Sequence, residues 1–211
     1  MQKGKQSLVF EEAPYIMSSA NIVGTKEGAG PLKEYFDVIG GDDTFGQNTW
    51  EEAESTLQKE AVTMALGKAG KKAEEIRYIF AGDLLGQTIA SSFGLRDFRI
   101  PLFGLYGACS TCGESLSLAA MSVAAGYADL AVAVTSSHFA SAEKQFRFPL
   151  EYANQRPKSA TWTVTGSGPP TATIQSGSNS NIFCAPAITV STDGSGSIPS
   201  IRATSMPASF K

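Results

Sequence analysis

The segment LFGLYGACSTCGESLSLAAMSVAAGYADLAVAV, residues 102–134, has two apolar runs on either side of a stretch rich in small residues. The runs at 102–106 and 130–134 are short and apolar, which predicts two buried strands. Residues 111–127 between them have the length of a helix, and their alanines and serines permit close approach of neighbouring backbones. A strand, a helix and a second strand in succession predict a mostly parallel α/β sheet with a buried central helix.

The clearest helix of the sequence is predicted upstream, over residues 48–72. Its apolar residues recur at spacings of three and four, at Trp50, Ala53, Leu57, Ala61, Met64 and Ala65. Thr49 and Glu52 match a capping box, and Gly70 is the predicted stop. Both ends of this helix are therefore specified by local residues.

Two further strands are predicted around these elements. Residues 77–82 form a β-branched and aromatic run that is typical of a buried strand. Residues 160–166 alternate with a period of two, which predicts a strand that continues the sheet. Pro169 and Pro170 follow, and we expect them to end that strand because proline cannot donate to a β-ladder.

Charged residues are unevenly distributed along the 211-residue chain. Residues 1–168 hold 34 of the 37 charged side chains, whereas Ser, Thr, Pro and Gly fill 22 of the 43 positions from 169 to 211. We therefore predict an α/β region over 1–168 and a tail over 169–211 that is disordered or foreign to the fold. A shift of reading frame or a truncation near Pro169 is the hypothesis that accounts for the change.

Overall charge and cysteine content argue against several classes of protein. A net charge of −3 and a pI near 5.3 argue against the basic surface that nucleic-acid-binding proteins need.

Three cysteines without a signal-peptide pattern predict an intracellular protein with reduced thiols. Residues 115–134 are apolar but contain three serines and Asp129, so no transmembrane segment is predicted. The glycines at 28–30 and 40–41 match no nucleotide fingerprint, and we predict no cofactor.

Cys109 lies between a predicted strand and the start of the predicted buried helix. Free amides and the helix dipole at such a position favour a thiolate, the form that attacks carbonyl and thioester carbons. A buried cysteine that acts only as a small apolar side chain is the other interpretation. Cys109 and Cys112 also form a C-x-x-C pair. That pair permits a redox or zinc site, although the further ligands of a closed zinc site are not evident, and we predict no metal.

Three residues beyond the strand at 130–134 are candidate ligand contacts. His138 follows the carboxyl end of that strand, where ligands of open α/β sheets collect. Arg147 and Arg156 lie among aromatic residues and prolines, and such cations can grip a planar carboxylate. Packing for the histidine and a solvated loop for the arginines remain the alternatives.

Five runs of residues resemble the stage V sporulation protein AD family, and the likeness extends over residues 4–168. They are FAGDLL (80–85), GACS (107–110), SSHF (136–139), QFRFPLEY (145–152) and WTVTG (162–166). That family belongs to the thiolase-like superfamily, in which two similar α/β halves form a five-layered structure. The resemblance implies that this chain supplies only the first of the two halves.

The resemblance also implies a function. Thiolases and ketoacyl synthases carry a nucleophilic cysteine at the amino end of a buried helix, the position that Cys109 occupies here. The sporulation family binds dipicolinic acid, with or without calcium, and helps to move it into the developing spore alongside stage V sporulation membrane proteins. We therefore expect a dipicolinate-binding protein of the forespore or spore, peripheral to the inner membrane, without enzymatic activity.

Two other functions remain open, and the chain is also expected to associate with itself. The alternative activity is that of a thiolase-type acyltransferase with Cys109 as its nucleophile. A structural scaffold for membrane partners, which needs no pocket, is the third interpretation. Because a single half would leave its inter-half surface uncovered, we expect a homo-oligomer through that face.

Overall fold

The computed structural model describes residues 2–5, 7–142, 147–149, 152–161, 163–175, 187–191 and 200–204. The helices are α1 (Thr25–Gly28), α2 (Trp50–Ala69), α3 (Ile89–Leu95), α4 (Thr111–Ala124) and α5 (Phe139–Ala142). The strands are β1 (Gln2–Lys3), β2 (Ser7–Val9), β3 (Tyr15–Ser19), β4 (Ile22–Val23), β5 (Val38–Ile39), β6 (Tyr78–Asp83), β7 (Leu102–Gly104), β8 (Leu130–Ser137), β9 (Gly166–Gln175), β10 (Ala187–Ser191) and β11 (Ser200–Thr204).

The central sheet has the strand order β5-β4-β9-β8-β6-β7, with β3 also paired to β9. The pairs β4–β5, β6–β7 and β6–β8 are parallel. In contrast, β9 runs antiparallel to β3, β4 and β8. Among the described strands of this sheet only β9 is therefore reversed, and the predicted mostly parallel α/β sheet is confirmed. A smaller antiparallel sheet has the order β1-β2-β10-β11.

Helices cover both faces of the central sheet. Ile79 of β6 and Val132 of β8 pack with Val62 and Leu66 of α2 on one face. On the other face Phe80 and Ala131 pack with α4, because successive residues of a strand point to opposite faces. The alanines of β8 allow α4 to approach the sheet closely. This arrangement places β6 and β8 in the middle of three layers.

Both predicted helices are confirmed; the ends of α2 are set by the expected residues, whereas α4 ends at Ala124 and not at residue 127. Thr49 Oγ1 accepts from the Glu52 amide at 3.2 Å, and the Glu52 carboxylate accepts from the Thr49 amide at 3.2 Å. Gly70 closes α2 in the left-handed conformation, at φ 64°. Helix α4 packs on the sheet through one face, whereas Leu118 and Met121 on its other face are 37% and 41% exposed. Among the described residues, the predicted burial of this helix is therefore found on the side that faces the central sheet.

The predicted end of the sheet is wrong. No strand covers the described residues of 160–165, and β9 begins at Gly166 and continues through Pro169 and Pro170 to Gln175. The reason lies in the neighbouring strands. Along β8, Ala133 pairs with Ala172 of β9 and the next pair is Thr135 with Gly168. On the other side of β9, Ala172 pairs with Ser19 of β3, and Ser167 pairs with Ile22 of β4. In these registers neither neighbour pairs with the prolines, so no ladder hydrogen bond is lost.

Strand β9 crosses the boundary that the sequence placed after Gly168. Backbone positions 169–175 belong to the central sheet, and 187–191 and 200–204 belong to the smaller one. The remainder of 169–211 lies outside the described residues, so a foreign or disordered tail stays a prediction. Gln145, Phe146, Leu150, Glu151 and Trp162 of the family-like runs also lie outside the described residues.

Candidate functional site

A cleft of about 170 Å³ lies at the carboxyl ends of β6 and β8, beside the amino end of α4. It is lined by Asp83, Leu84, Ala108, Cys109, Thr111, Cys112, Thr135, Ser136, Ser137, Gly166 and Gly168. Parallel strands bring their carboxyl ends to one edge of the sheet, where ligand sites of α/β proteins form. Cys109, the predicted nucleophile, is among the residues that line this cleft.

Cys109 is an exposed thiol in the short turn Ala108–Ser110, directly before α4. The turn is fixed on both sides. Ala108 has φ 49°, which is uncommon for a residue other than glycine, and the Gly107 amide donates to Thr111 Oγ1 at 3.0 Å. The Ser110 hydroxyl lies 2.7 Å from the Gly107 carbonyl and 2.6 Å from Glu114 Oε1. The cysteine is thus presented to the cleft by an ordered backbone.

Cys112 differs from Cys109 although both line the cleft. Burial raises the pKa of the Cys112 thiol, which keeps it protonated at neutral pH. The structure has no disulfide between the two cysteines. Among the described residues, no group of three or more His, Cys, Asp or Glu side chains is arranged to hold a metal ion. The arrangement offers one exposed nucleophile and one inert neighbour.

A buried polar network lies behind the cleft. Glu54 of α2 is 2% exposed, and its two carboxylate oxygens accept from Ser136 Oγ at 2.8 Å and Ser141 Oγ at 3.0 Å. Burial raises the pKa of Glu54 to about 7, and the nearby negative charge of Asp83 adds to this effect. Because Ser136 also lines the cleft, the network reaches the candidate site directly.

Gln58 lies one helical turn beyond Glu54 and joins the same network. Its Nε2 lies within 3.1 Å of three acceptors, which are the Gly82 carbonyl, Ser91 Oγ and Ser136 Oγ. Gln58 Oε1 is buried without a hydrogen-bond partner in the described structure. Ser91 in turn donates to Asp83 through its amide and its hydroxyl. Elements α2, α3, β6 and β8 are therefore tied together behind the cleft.

Sequence reasoning missed Glu54 and Gln58, although a signal for them was present. Both follow predicted core positions by one residue. Their spacing of four continues to Val62 and Leu66, which are also buried. These four residues form a second buried stripe, so the buried face of α2 is wider than the apolar face that the sequence predicted. Two polar residues within such a stripe indicate a buried network.

His138 lies in the core of the described structure. Its ring is fully buried beside Trp50 and Phe139. Nε2 lies 2.7 Å from the Asp43 carbonyl, and Nδ1 accepts from the Ala140 amide at 3.2 Å. Burial lowers the pKa of His138, so the neutral ring donates through Nε2. The packing interpretation fits this geometry, and His138 is not among the residues that line the Cys109 cleft.

Arg147 and Arg156 do not line the cleft either. Arg147 is exposed, donates to Thr163 Oγ1 at 3.1 Å and lies over the Phe148 ring at 5.4 Å. Arg156 donates to the Ala160 carbonyl at 2.7 Å. Thr163 precedes Gly166, which does line the cleft. Of these two cations, Arg147 is therefore the one whose contact leads toward the candidate site.

Solved structures at 14–17% sequence identity share the fold of this chain. The tetronic acid condensing enzyme AbyA1 gives a TM-score of 0.57 at 17% identity, over 87% of this chain and 59% of that one. The priming β-ketosynthase of the R1128 polyketide pathway gives 0.54 at 14% identity, over 92% and 58%. The 3-oxoacyl-[acyl-carrier-protein] synthase III of Aquifex aeolicus VF5 gives 0.52 at 14%, over 79% and 55%. These likenesses show a thiolase-like α/β fold.

Sequence comparison narrows the assignment from fold to family. Stage V sporulation protein AD of Bacillus subtilis (strain 168) is 43% identical over 165 residues, which are 78% of this chain and 49% of that protein. The chain thus spans about half the length of this curated relative. Among the described residues, no helix has both the length and the apolar character needed to cross a bilayer. The family profile matches residues 4–198, well past Gly168, and the chain belongs to the stage V sporulation protein AD family.

Proposed function

We propose that the Cys109 cleft binds dipicolinic acid, pyridine-2,6-dicarboxylate, and that the protein supports its uptake into the developing spore. Family membership supports the link to sporulation. The observation that carries the proposal is the cleft itself, which brings the amino end of α4 together with Thr135 and Ser136 near the end of β8. Helix amino ends and hydroxyls are suitable donors to carboxylates.

The size of the cleft favours a small ligand. Its volume of about 170 Å³ is below the range of roughly 300 to 1,000 Å³ that is usual for drug-sized ligands. A single ring with two carboxylates suits this space better than a long acyl chain with its carrier. Arg147 donates to Thr163 in the segment before Gly166, and Arg156 donates to the Ala160 carbonyl; both cations are proposed to assist binding from these positions.

Isothermal titration of the chain with dipicolinate, with and without calcium, tests the proposal. Isophthalate, which has the same two carboxylates but no ring nitrogen, and picolinate, which has one carboxylate, are the control ligands. We expect dipicolinate to bind best and to raise the melting temperature. Absence of both heat and thermal shift would reject the function.

The role of the arginines is tested by substitution. We expect Arg147→Ala to weaken dipicolinate binding about tenfold, the effect of losing one charge-assisted hydrogen bond. Arg77→Ala is the matched control because Arg77 lines a different cavity, beside the amino ends of β6 and β8. Equal affinities of the two variants for dipicolinate would show that Arg147 does not contribute to binding. Arg156→Ala is compared with Arg77→Ala in the same way.

The exposure of Cys109 favours a second candidate function, acyl transfer. A thiol at the amino end of a helix can attack a thioester, form an acyl-enzyme and release the thiol of the carrier. Intact mass after incubation with acyl thioesters is the measurement, with Cys109→Ser as control. An adduct that disappears in Cys109→Ser supports acyl transfer, whereas an unlabelled folded protein supports the binding function.

The proposed setting is the periphery of the inner membrane of the forespore or spore, with other stage V sporulation membrane proteins as partners. Fractionation of sporulating cells, followed by extraction with salt, tests this location. A peripheral protein should sediment with membranes and be released by salt without detergent. Recovery of the protein in the supernatant before any extraction would contradict it.

A further inference from the structure

The carboxyl group of Glu54 is a buried titratable group that lies one side chain away from the Cys109 cleft. We propose that Glu54 is a positioning residue that links the uptake of a proton to the entry of an anion into this cleft, with Ser136 as the connection. The proposal rests on the proposed function for the identity of the anion, dipicolinate. The link from Glu54 to the cleft rests on the geometry of the described residues.

The connection is direct. Ser136 has one hydroxyl proton, lines the cleft and lies 2.8 Å from Glu54 Oε1. On its other side Ser136 Oγ lies 2.7 Å from Gln58 Nε2, which can only donate. The single proton of Ser136 is therefore directed at Glu54 whenever that carboxyl is ionised. An ionised Glu54 leaves no donor on Ser136 for a ligand.

Protonation of Glu54 reverses this arrangement. The carboxylic acid then has a proton of its own to donate, to Ser136 or Ser141, and no longer needs both hydroxyl protons. The Ser136 hydroxyl becomes able to turn its proton toward the cleft. The same step removes one negative charge from the region behind the site. Both effects favour an anionic ligand.

Among the described residues, the elements that pack on α2 bring no lysine or arginine to Glu54, and His138, which directly precedes α5 and packs on Trp50 of α2, has its pKa lowered by burial. Elements α3, α5, β3, β4, β8 and β9 pack against α2, and their sequences contain no Lys, Arg, His, Asp or Glu. Tyr15 of β3 is the titratable residue among them, and its hydroxyl bonds Gln175. The charges that act on Glu54 are Asp83 of β6 and Glu51 of α2, both of which oppose its ionisation. With its pKa raised to about 7, Glu54 changes state near neutral pH.

Alkylation of Cys109 tests the link without any bound ligand. Iodoacetate is an anion and iodoacetamide is neutral, and both react with the thiolate, so the ratio of their rates cancels the ionisation of Cys109 itself. Peptide mass spectrometry measures the Cys109 adducts on the full chain. We expect the iodoacetate/iodoacetamide ratio to fall about threefold from about pH 6 to about pH 8, as a buried negative charge forms behind the cleft.

Three variants make this test decisive. Glu54→Gln should give a high ratio at every pH, whereas Glu60→Gln, an exposed position of the same helix, should behave as the wild type. Ser141→Ala removes one donor to the Glu54 carboxylate and should move the midpoint of the fall to higher pH. A flat ratio in the wild type, a fall that persists in Glu54→Gln, or an unmoved midpoint in Ser141→Ala would each overturn the proposal.

Titration with dipicolinate separates this inference from the proposed function. In buffers of different ionisation enthalpy, binding near pH 7.5 should take up a fraction of a proton in the wild type and none in Glu54→Gln. Binding without proton uptake by the wild type would reject the link but retain the ligand. A pH-dependent alkylation ratio together with no dipicolinate binding would retain the link and reject the ligand.

Discussion

Glu54 also makes the stability of the fold depend on pH. Its pKa is about 4.5 when exposed in the unfolded chain and is raised to about 7 in the folded protein. A raised folded-state pKa means that the unfolded chain loses its proton first as pH increases. The contribution is therefore fully present below about pH 4.5 and is lost as pH rises through about 7. This carboxyl opposes folding in alkaline solution.

The predicted size of this effect is large for a single side chain. From about pH 5 to about pH 8 the wild type should lose up to about 3 kcal/mol of its free energy of unfolding through Glu54. Glu54→Gln should lack that part of the loss, and the exposed Glu60→Gln should retain it. Urea unfolding at both pH values measures the difference. Parallel pH profiles for the wild type and Glu54→Gln would contradict the assignment.

The two cysteines of the C-x-x-C pair should differ in reactivity. Cys109 is exposed, whereas burial raises the pKa of Cys112 and hides its sulfur. We expect iodoacetamide to label Cys109 at least about tenfold faster than Cys112 at neutral pH, because the thiolate is the reactive form. Denaturant should abolish the difference. Equal labelling of the two thiols in the folded protein would show that the amino end of α4 is not held as described.

At the level of elements, close packing of α3 against α2 depends on Gly94. A Cβ atom at this position would collide with the backbone carbonyl of Ser55. We therefore expect Gly94→Ala to lower the free energy of unfolding by about 1–3 kcal/mol, the usual cost of overpacking. Ile89 and Phe93 of α3 line the groove between these two helices. We therefore expect the substitution to move α3 locally away from α2.

Gly67 in α2 is the matched control for this substitution. No atom lies within 4 Å of a Cβ added there, and the residue is exposed. Gly67→Ala should raise stability by about 0.5–1 kcal/mol, because alanine loses less backbone entropy in a helix. Thermal unfolding of the two variants should thus give shifts of opposite sign. A rise in melting temperature for both variants would show that helix propensity outweighs packing at Gly94.

The elements differ in how far the sequence could predict them. Helix α2 and its ends follow from neighbouring residues, since Thr49, Glu52 and Gly70 act within one helical turn. Strand β9 depends instead on β3, β4 and β8, whose registers leave Pro169 and Pro170 unpaired. Local alternation over 160–166 carried no information about those partners. The strand was for this reason placed too early and ended too soon.

The residues of the candidate site also differ in how far the sequence could predict their positions. Cys109 could be predicted because a strand followed by a helix fixes its position at the edge of the sheet. Glu54 and Gln58 lie on α2, far from Cys109 in sequence, and their role depends on the packing of four elements. His138 follows the correct strand, but the Asp43 carbonyl and Trp50 turn its ring into the core. Spacing along the chain could not show where that ring would point.

At the level of the whole molecule, α4 and the turn after it present an exposed apolar surface. One side of the helix packs on the sheet, whereas Leu118, Met121 and nearby Tyr127 are 37%, 41% and 72% exposed. Within the part of the chain that the structure describes, these side chains lie open to solvent. Apolar patches of this kind favour association in solution.

We therefore expect the isolated chain to form homo-oligomers through α4. Light scattering should give a mass above 22.2 kDa that falls toward the monomer when Leu118→Glu and Met121→Glu are combined, because two buried charges oppose an apolar contact. Tyr35→Glu is the control, since Tyr35 is 77% exposed and precedes β5, apart from α4. That variant should remain oligomeric. A monomeric wild type would show that residues 118 and 121 do not drive association, and an oligomer that survives both charges would place the contact elsewhere on the surface.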